Sequence, residues 1–330
     1  MKNQTEFPKV LFAEGNLGLA GVGRSAQIGK LVFGAQDFFP YPRKGQLWEK
    51  FPVTTFFSPR KFKYGKIEKK QFPFALPERM QHSPSYPEYK RALQALLDAD
   101  LQKAVFARKT VMTYDKPLNP FLLLRNLVGK GLLFFFQMDP ETTFLGSTPE
   151  WLFRREGRQL STAAIAGTRT RGRGKELLHS KKDLQEFRFV QKELAQTLSP
   201  LCSRVLFEEE PQLLQTPNVE HLFTPFSAEL KQNISDQDLL GALHPTPATG
   251  GLPKKEALQK LHELESFDRG WFAAPVGYME KERSHFFVAI RSALIKRNEL
   301  HLFAGSGILN GSNCYDEWSE LNNKLKLWTM

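Results

Sequence analysis

The C-terminal thirty residues bring together residue types that could bind a metal ion and an anion. Glu317, Glu320 and Lys324 follow one another at spacings of three and four residues in NCYDEWSELNNKLK. If this stretch is a helix, those spacings place all three side chains on one face. Two converging carboxylates are oxygen ligands of the kind that Mg2+ takes. On spacing alone, a solvated helix with an ordinary i,i+4 ion pair is the simpler alternative.

A glycine-rich segment comes directly before this predicted helix. The sequence LFAGSGILNGS predicts a strand from Leu302 to Ala304 that runs into a loop with Gly305, Gly307 and Gly311. Because glycine has no Cβ, backbone N–H groups in such a loop can approach a ligand closely. We therefore expect the strand, the loop and the helix to form one ligand-binding unit.

Composition predicts a large folded protein with an excess of positive charge. The chain has 330 residues, 41% of them hydrophobic and 28 of them Phe, which is ample for a buried core. Its net charge of +11 would suit nucleic acid, a membrane surface or an anionic substrate. The densest basic groups, at 61–70 and 169–175, lack the aromatic interleaving of a single-strand binder. We therefore expect no nucleic-acid partner.

Cysteine usage and hydropathy favour the cytoplasm. Cys202 and Cys314 are too few for a disulfide framework or a zinc site, so a reducing compartment is the simpler interpretation. No apolar run approaches the roughly 18 residues that span a bilayer. The N-terminal sequence MKNQTEFPKV lacks the apolar core of a signal peptide. We expect a soluble cytoplasmic protein with no membrane partner.

Strand-like segments come in runs, and helices are inserted between the runs. Residues 1–85 are rich in short apolar runs and are predicted to be a strand-rich part of the same body as residues 86–330, which carry the site. Helices are predicted over 86–99 and from Lys181 onward, and three successive strands are predicted between 271 and 307. This order predicts an α+β fold with large, mostly antiparallel sheets flanked by helices.

Seven segments between residue 85 and the C-terminus occur in a fixed order. They are KAVFAR (103–108), FLGSTPEWLF (144–153), AAIAGTRTRG (163–172), KKDLQEF (181–187), HPTPATGGLP (244–253), AIRSA (289–293), and FAGSGI with DEWSELNNK. In this order they resemble the chorismate-utilising enzymes, a family that includes isochorismate, salicylate, anthranilate and aminodeoxychorismate synthases. The resemblance implies that family's fold and chorismate, a dicarboxylate with a ring hydroxyl and an enolpyruvyl ether, as the substrate.

The resemblance implies a Mg2+ site. Glu186, Glu317 and Glu320 resemble the family's metal ligands, and the ion would bind the ring carboxylate and offset its charge. The family usually has His after the first of these glutamates, whereas this chain has Phe187. A surface glutamate on a helix is the alternative for Glu186.

The resemblance also implies an acid and a base. Glu150 resembles the general acid that protonates the departing C4 hydroxyl, which requires a pKa raised by burial or by nearby anions. Lys103 resembles the base that activates water, and it must lose its proton to act so. Taken alone, a strand-end carboxylate and a solvated lysine are the simpler alternatives.

Further residues resemble the family's substrate ligands. Arg291 and Lys324 would grip the two carboxylates, and an arginine in the apolar run VAIRSAL is costly to bury without an anion. His244 would either contact the substrate or be a structural histidine. Backbone or hydroxyl donors are expected from Gly167, Thr168, Gly305 and Gly307.

Two positions favour the branch of the family that adds water. Ammonia-using relatives tend to carry Gln at the position of Lys103, and aminodeoxychorismate synthases carry a nucleophilic Lys at the position of Ala166. Anthranilate synthases usually have Pro at the position of Ala164. We therefore predict an isochorismate synthase, an isomerase that moves the hydroxyl of chorismate. A salicylate synthase, which goes on to eliminate pyruvate, and a non-catalytic anion-binding relative remain the alternatives.

The absence of the residues that ammonia-using relatives carry also affects which partner subunits are expected. We expect no glutaminase subunit, and nothing in the sequence demands a second subunit, so a monomer is expected. The sequence does not separate menaquinone, siderophore and salicylate synthesis as the pathway served.

Overall fold

A computed structural model of the chain describes residues 6–73, 75–215 and 219–328. Its strands form two large antiparallel sheets with helices packed against them, which confirms the predicted α+β fold. In chain order the elements are β1 Lys9–Glu14, β2 Leu17–Val22, β3 Leu31–Gln36, β4 Thr54–Phe57, β5 Lys61–Lys66, β6 Arg79–Ser83, α1 Tyr86–Leu97, β7 Lys103–Thr113, α2 Pro120–Leu127, β8 Leu132–Gln137, β9 Thr142–Thr148, β10 Trp151–Glu156, β11 Gln159–Thr170, α3 Lys181–Leu198, β12 Cys202–Phe207, β13 Gln212–Gln215, β14 Val219–Leu230, α4 Asp236–Leu243, β15 Gly251–Leu252, α5 Lys254–Leu264, β16 Pro275–Glu280, β17 Arg283–Val288, β18 Ser292–Lys296, β19 Glu299–Ile308 and α6 Cys314–Leu325.

The first sheet has the order β15-β7-β19-β18-β9-β8-β1-β2-β5, and β6 also pairs with β7. The second has the order β12-β14-β11-β10-β17-β16-β3-β4, and β13 also pairs with β14. Strands from 1–85 enter both sheets, since β1 pairs with β8 and β3 pairs with β16. The division at residue 85 stays a prediction.

Two apolar cores hold the sheets and helices together. The larger core is rich in aromatic rings, and Phe144 of the first sheet packs edge-on against both Trp48 and Trp271. The smaller core lies where α3 covers the second sheet. Phe187, which replaces the family's usual His, is fully buried in this smaller core. An apolar ring there contributes to packing and cannot act at a polar site.

The glycine-rich segment differs from the prediction of a short strand and a loop. Strand β19 continues through Gly305 and Gly307 to Ile308, and these glycines pair with Ala107 and Val105 of β7. The ladder continues because the adjacent strand β7 satisfies the backbone groups that a loop would expose. Because these glycines have no Cβ, other side chains can pack closely against this part of β19.

The position of Arg291 also differs from the prediction, because this residue is not within a strand. It lies in the break between β17 and β18 with a φ of 52°, a left-handed conformation that costs energy for a residue with a Cβ. The run VAIRSAL reads as continuous strand because its apolar residues belong to two strands. The break turns the arginine out of both ladders.

Helix ends follow their capping residues. Helix α6 begins after Asn313, whose side chain accepts a hydrogen bond from the backbone N–H of Asp316, and α3 begins after Ser180, which caps Asp183 in the same way. Helices α2 and α4 were not predicted from the sequence. None of the helices in the described ranges is long and apolar enough to cross a membrane.

Candidate active site

A cavity of about 520 Å3 lies where β7 and β19 of the first sheet meet α3, α6 and β11. Every predicted site residue except His244 lines it. These residues are Lys103, Glu150, Gly167, Thr168, Glu186, Arg291, Gly305, Gly307, Glu317, Glu320 and Lys324. They come from six separate parts of the chain, so the fold has gathered chemistry that is dispersed in the sequence.

Lys103 begins β7 and is almost fully buried, with 1% of its side chain exposed. Its Nζ lies 2.8 Å from Oε1 of Glu186 on α3. Gly307 on the adjacent strand makes this approach possible, because a Cβ there would lie 2.7 Å from Oε1 of Glu186 and 3.3 Å from Cε of Lys103. The predicted base and one predicted metal ligand thus form one ion pair.

Glu150 lies in the turn between β9 and β10 and is buried. Its backbone is held in place, since its N–H donates to Oγ1 of Thr148 at 3.1 Å and its carbonyl accepts from the N–H of Val288 at 3.1 Å. Burial raises the pKa of Glu150 to about 7, against the opposing effect of Lys103 and Lys324. Glu150 therefore holds a proton for a large part of the time near neutral pH, as a general acid must.

Helix α6 presents the three predicted side chains on one face, as their spacing requires. Oε1 of Glu320 lies 2.6 Å from Nζ of Lys324, which also donates to the carbonyl of Gly305 at 2.7 Å. Burial raises the pKa of Glu320, but Lys324 and Lys182 outweigh it and hold that pKa below its usual range. Lys324 is therefore fixed between the helix and β19.

Glu317 is buried one helical turn earlier. Its Oε1 accepts from Nζ of Lys182 at 2.9 Å, and its Oε2 accepts from the hydroxyl of Ser306. Both carboxylate oxygens are thus held by donors from other elements.

The donor set suits a divalent cation, although it is not assembled around one. Each of the three carboxylates is paired with a lysine, and within the described ranges no three acidic, His or Cys side chains lie close enough to hold an ion. Burial lowers the pKa of Lys182, but Glu317, Glu186 and Glu320 together raise it above its usual value. A cation at this place is therefore stabilised by all three glutamates, and carboxylate oxygens are the ligands that Mg2+ takes.

Arg291 faces the cavity without a carboxylate partner among the residues that the structure describes. Its one hydrogen bond there is from Nη1 to the carbonyl of Lys324, at 3.4 Å. Burial lowers its pKa to about 10, with a partial offset from Glu320. A desolvated guanidinium with unused donors is the group that a substrate carboxylate would satisfy.

His221 on β14 is a site residue that the sequence analysis missed. Its Nδ1 lies 3.0 Å from the carbonyl of Gly167 and 3.2 Å from Oγ1 of Thr168. Since a carbonyl only accepts, Nδ1 carries the proton, and the buried Nε2 is an acceptor with no partner within the described part of the chain. Burial and Arg291 lower its pKa to about 3, so the ring is neutral. Its position in NVEHLF, within a strand, was the available signal.

His244 lies outside the cavity. Its Nε2 lies 3.1 Å from the carbonyl of Phe38, and its ring packs edge-on against the ring of Phe38. Burial lowers its pKa to about 3. This position favours the structural alternative over substrate contact.

Arg269 lines the cavity and was also missed. Its guanidinium forms a fully buried ion pair with Glu265 and donates to the carbonyls of Thr249 at 2.8 Å and Val105 at 2.5 Å. Glu265 in turn accepts from the N–H of Ala107 at 3.0 Å. The pair thus fixes β7 just beyond Lys103.

Known proteins with similar sequences and folds are chorismate-binding enzymes and isochorismate synthases. The family model described as chorismate binding enzyme matches residues 63–329. The chain is 31% identical to isochorismate synthase MenF of Bacillus subtilis, over 91% of this chain and 74% of that protein. It is 35% identical to the chloroplastic isochorismate synthase 2 of Arabidopsis thaliana, over 75% of this chain and 47% of that protein.

The fold agrees with these matches. The menaquinone-specific isochorismate synthase MenF of Escherichia coli superposes with a TM-score of 0.86, covering 100% of this chain and 90% of that structure at 24% identity. The chain spans between about half and three quarters of the length of these two curated relatives. The chain belongs to the chorismate-binding enzyme family, and the relatives named above are isochorismate synthases.

Proposed function

We propose that this protein is an isochorismate synthase, an isomerase that converts chorismate to isochorismate. The observation that carries the proposal is a single cavity lined by a buried lysine, Lys103, a buried carboxyl that keeps a proton near neutral pH, Glu150, and an arginine without a carboxylate partner within the described ranges, Arg291. A base, an acid and an anion anchor are three of the groups that the reaction needs.

Lys103 and Glu150 divide the proton transfers. In its neutral form Lys103 takes a proton from the water that attacks C2, and the ring double bonds shift. Glu150 gives its proton to the C4 hydroxyl, which leaves as water. One water enters and one leaves, so no redox cofactor is needed. A positioned acid or base of this kind typically contributes about a hundred- to ten-thousandfold to the rate.

The substrate carboxylates are held by the cationic side of the cavity. Arg291 binds one carboxylate with its unused donors, and Lys324, fixed by Glu320 and Gly305, adds positive charge beside it. The unpaired Nε2 of His221 can accept a hydrogen bond from a ring hydroxyl. Backbone groups of Gly167 and Gly307 line the same wall.

Mg2+ is part of the proposal. Glu186, Glu317 and Glu320 would hold it, and when bound it would offset the charge of the ring carboxylate. These three glutamates raise the pKa of Lys182, which means that they stabilise a positive charge at this place, and this supports the assignment. We also propose that the protein needs no glutaminase subunit, because Lys103 and Ala166 suit water as the nucleophile.

Incubation of the purified protein with chorismate and Mg2+ tests the proposal. We expect isochorismate as the product, with oxygen from labelled water at C2, and no aminated ring when ammonium is added. The reaction should run in both directions, since the isomers differ only in the places of the hydroxyl and of the ring double bonds. A matched incubation with Lys103→Ala should give no isochorismate.

Each other product would identify a different enzyme. Salicylate and pyruvate as the main products would assign the protein to the salicylate synthases. An aminated product would overturn the assignment of Lys103 as the base for water. Binding of chorismate without turnover would indicate the non-catalytic relative.

A further inference from the structure

Ser306 lies behind the cavity and not in its wall. It is fully buried on β19 between Gly305 and Gly307, which both line the cavity. Because neighbouring residues of a strand point to opposite faces, the side chain of Ser306 points away from the cavity, toward α1 and α6. Its hydroxyl donates to Oε2 of Glu317.

The carboxylate fixes the direction of this hydrogen bond and of a second one. The hydroxyl of Tyr89, which is fully buried on α1, reaches Oγ of Ser306 at 3.4 Å. A carboxylate can only accept, so the single proton of Ser306 points to Glu317 and its oxygen is left to accept from Tyr89. The series Tyr89, Ser306, Glu317 is therefore a chain of donors that ends on a carboxylate.

The other oxygen of Glu317 faces the cavity. Oε1 accepts from Nζ of Lys182 at 2.9 Å, and both Glu317 and Lys182 line the cavity. Lys182 is partly exposed there, so its ammonium marks the place from which a cation reaches Glu317. Oε2 is thus held by Ser306 on the side away from the cavity, and Oε1 faces the cavity.

We infer that Ser306 is a positioning residue: its hydroxyl holds Oε2 of Glu317 so that Oε1 faces the cavity for a divalent cation. The inference rests on the proposed function, which supplies the cation. Groups that orient a ligating carboxylate from outside the ligand set typically contribute about 10- to 100-fold to metal affinity. Ser306 itself touches neither substrate nor cation.

The test measures Mn2+ affinity directly, from the electron paramagnetic resonance signal of free Mn2+ titrated with protein in the absence of chorismate. Ser306→Ala should weaken Mn2+ binding by about 10- to 100-fold, because Oε2 of Glu317 then lacks the donor that orients it. Tyr89→Phe should weaken it less, since Ser306 remains. The thermal midpoint of each variant without metal is measured alongside.

Ser284→Ala is the matched control. Ser284 is a buried strand serine whose hydroxyl donates to Oδ1 of Asp236 at 2.7 Å, and Asp236 is paired with Arg155 as Glu317 is paired with Lys182. It lies outside the cavity lining. We expect its loss to affect the thermal midpoint as much as the loss of Ser306 does, and to leave Mn2+ affinity unchanged.

Three outcomes would overturn the inference and are distinguishable. If the parent protein binds Mn2+ and Ser306→Ala binds it equally well, Ser306 does not position Glu317, and the proposed function is untouched. If the parent protein takes up no Mn2+, the metal requirement of the proposed function fails and the role of Ser306 fails with it. Equal weakening by Ser284→Ala would show a general effect of stability.

Discussion

Lys103 and Glu186 form an ion pair with 2.8 Å between Nζ and Oε1, and it joins the first strand residue of β7 to α3 across the cavity. The base and the metal ligand implied by the sequence are therefore one electrostatic unit. A change that displaces either side chain acts on both.

Gly307→Ala is expected to break this unit. The added Cβ would lie 2.7 Å from Oε1 of Glu186, so the carboxylate must move away from Lys103. Misplacement of a reacting group by about 1 Å can cost roughly a hundredfold, and we expect a fall in kcat of about that size. Steady-state kinetics with chorismate measure it.

Gly65→Ala is the control for this substitution, because a Cβ at Gly65 meets no atom within 4 Å. It should leave kcat unchanged. Full activity of Gly307→Ala would show that the pair is not needed for turnover.

The pH dependence should carry the signature of Glu150. The acid must be protonated, and its pKa is raised to about 7 by burial. The protonated fraction of Glu150 should therefore fall as pH rises through about 7, approaching tenfold per pH unit above it, and in the kcat/KM profile this fall acts against the rise that comes from loss of the Lys103 proton. A pH series of kcat/KM checks this, since that ratio reports groups of the free enzyme.

A carboxyl titration by 13C NMR provides an independent measurement. The resonance of Glu150 is assigned by its loss in Glu150→Gln, and it should titrate near pH 7. A midpoint near the ordinary value of about 4.3 for Glu would contradict the assignment of Glu150 as the acid.

Arg291→Ala should reduce kcat/KM for chorismate by at least about a hundredfold. Removing one member of a buried charge pair costs about 3–5 kcal/mol, and in this variant the substrate carboxylate would lose its arginine partner. Arg291→Lys should recover only part of the loss, since Lys keeps the charge without the bidentate fork.

Arg297→Ala controls for backbone strain. Arg297 also has a positive φ, 56°, but it is exposed and paired with Glu141 at the surface. Near-normal kinetics are expected from it. If the kinetics of Arg291→Ala are equally near normal, Arg291 does not bind substrate.

Removal of divalent metal should abolish turnover, and Glu320→Gln should not recover at ordinary Mg2+ concentrations. The substitution removes one negative charge from the proposed metal ligands, and a hard cation requires such charged oxygen ligands. Activity is assayed with excess chelator and then with Mg2+ restored. Glu256→Gln, an exposed helical position on α5, should respond as the parent protein does. Undiminished turnover in chelator would remove the metal from the proposal.

The buried pair of Arg269 and Glu265 makes a prediction about stability. Arg269→Met leaves a carboxylate buried without its partner and should lower the free energy of unfolding by about 3–5 kcal/mol. Adding Glu265→Leu should restore part of that loss, because the unpaired charge is then gone. Urea denaturation of both variants measures this, and additive losses would contradict it.

The sequence alone predicted the α+β class and eleven residues that line the cavity, among them Lys103, Glu150 and Glu320. The fold class was predictable because strand runs and helical spacing are local patterns. The eleven residues were named from motifs in a fixed order, and the structure places them at one cavity, while their roles stay predictions. Side-chain type and spacing survive into the fold because helix and strand periodicities are local properties of the backbone.

Only the tertiary structure decided which groups are paired and which are free. Gly305 and Gly307 belong to a strand because β7 lies beside them, and Arg291 faces the cavity because two strands end around it. His221 enters the site and His244 stays outside because of how β14 and the loop before β15 are placed. Burial and the proximity of charges distant in sequence set these properties, and no local pattern in the sequence specifies them.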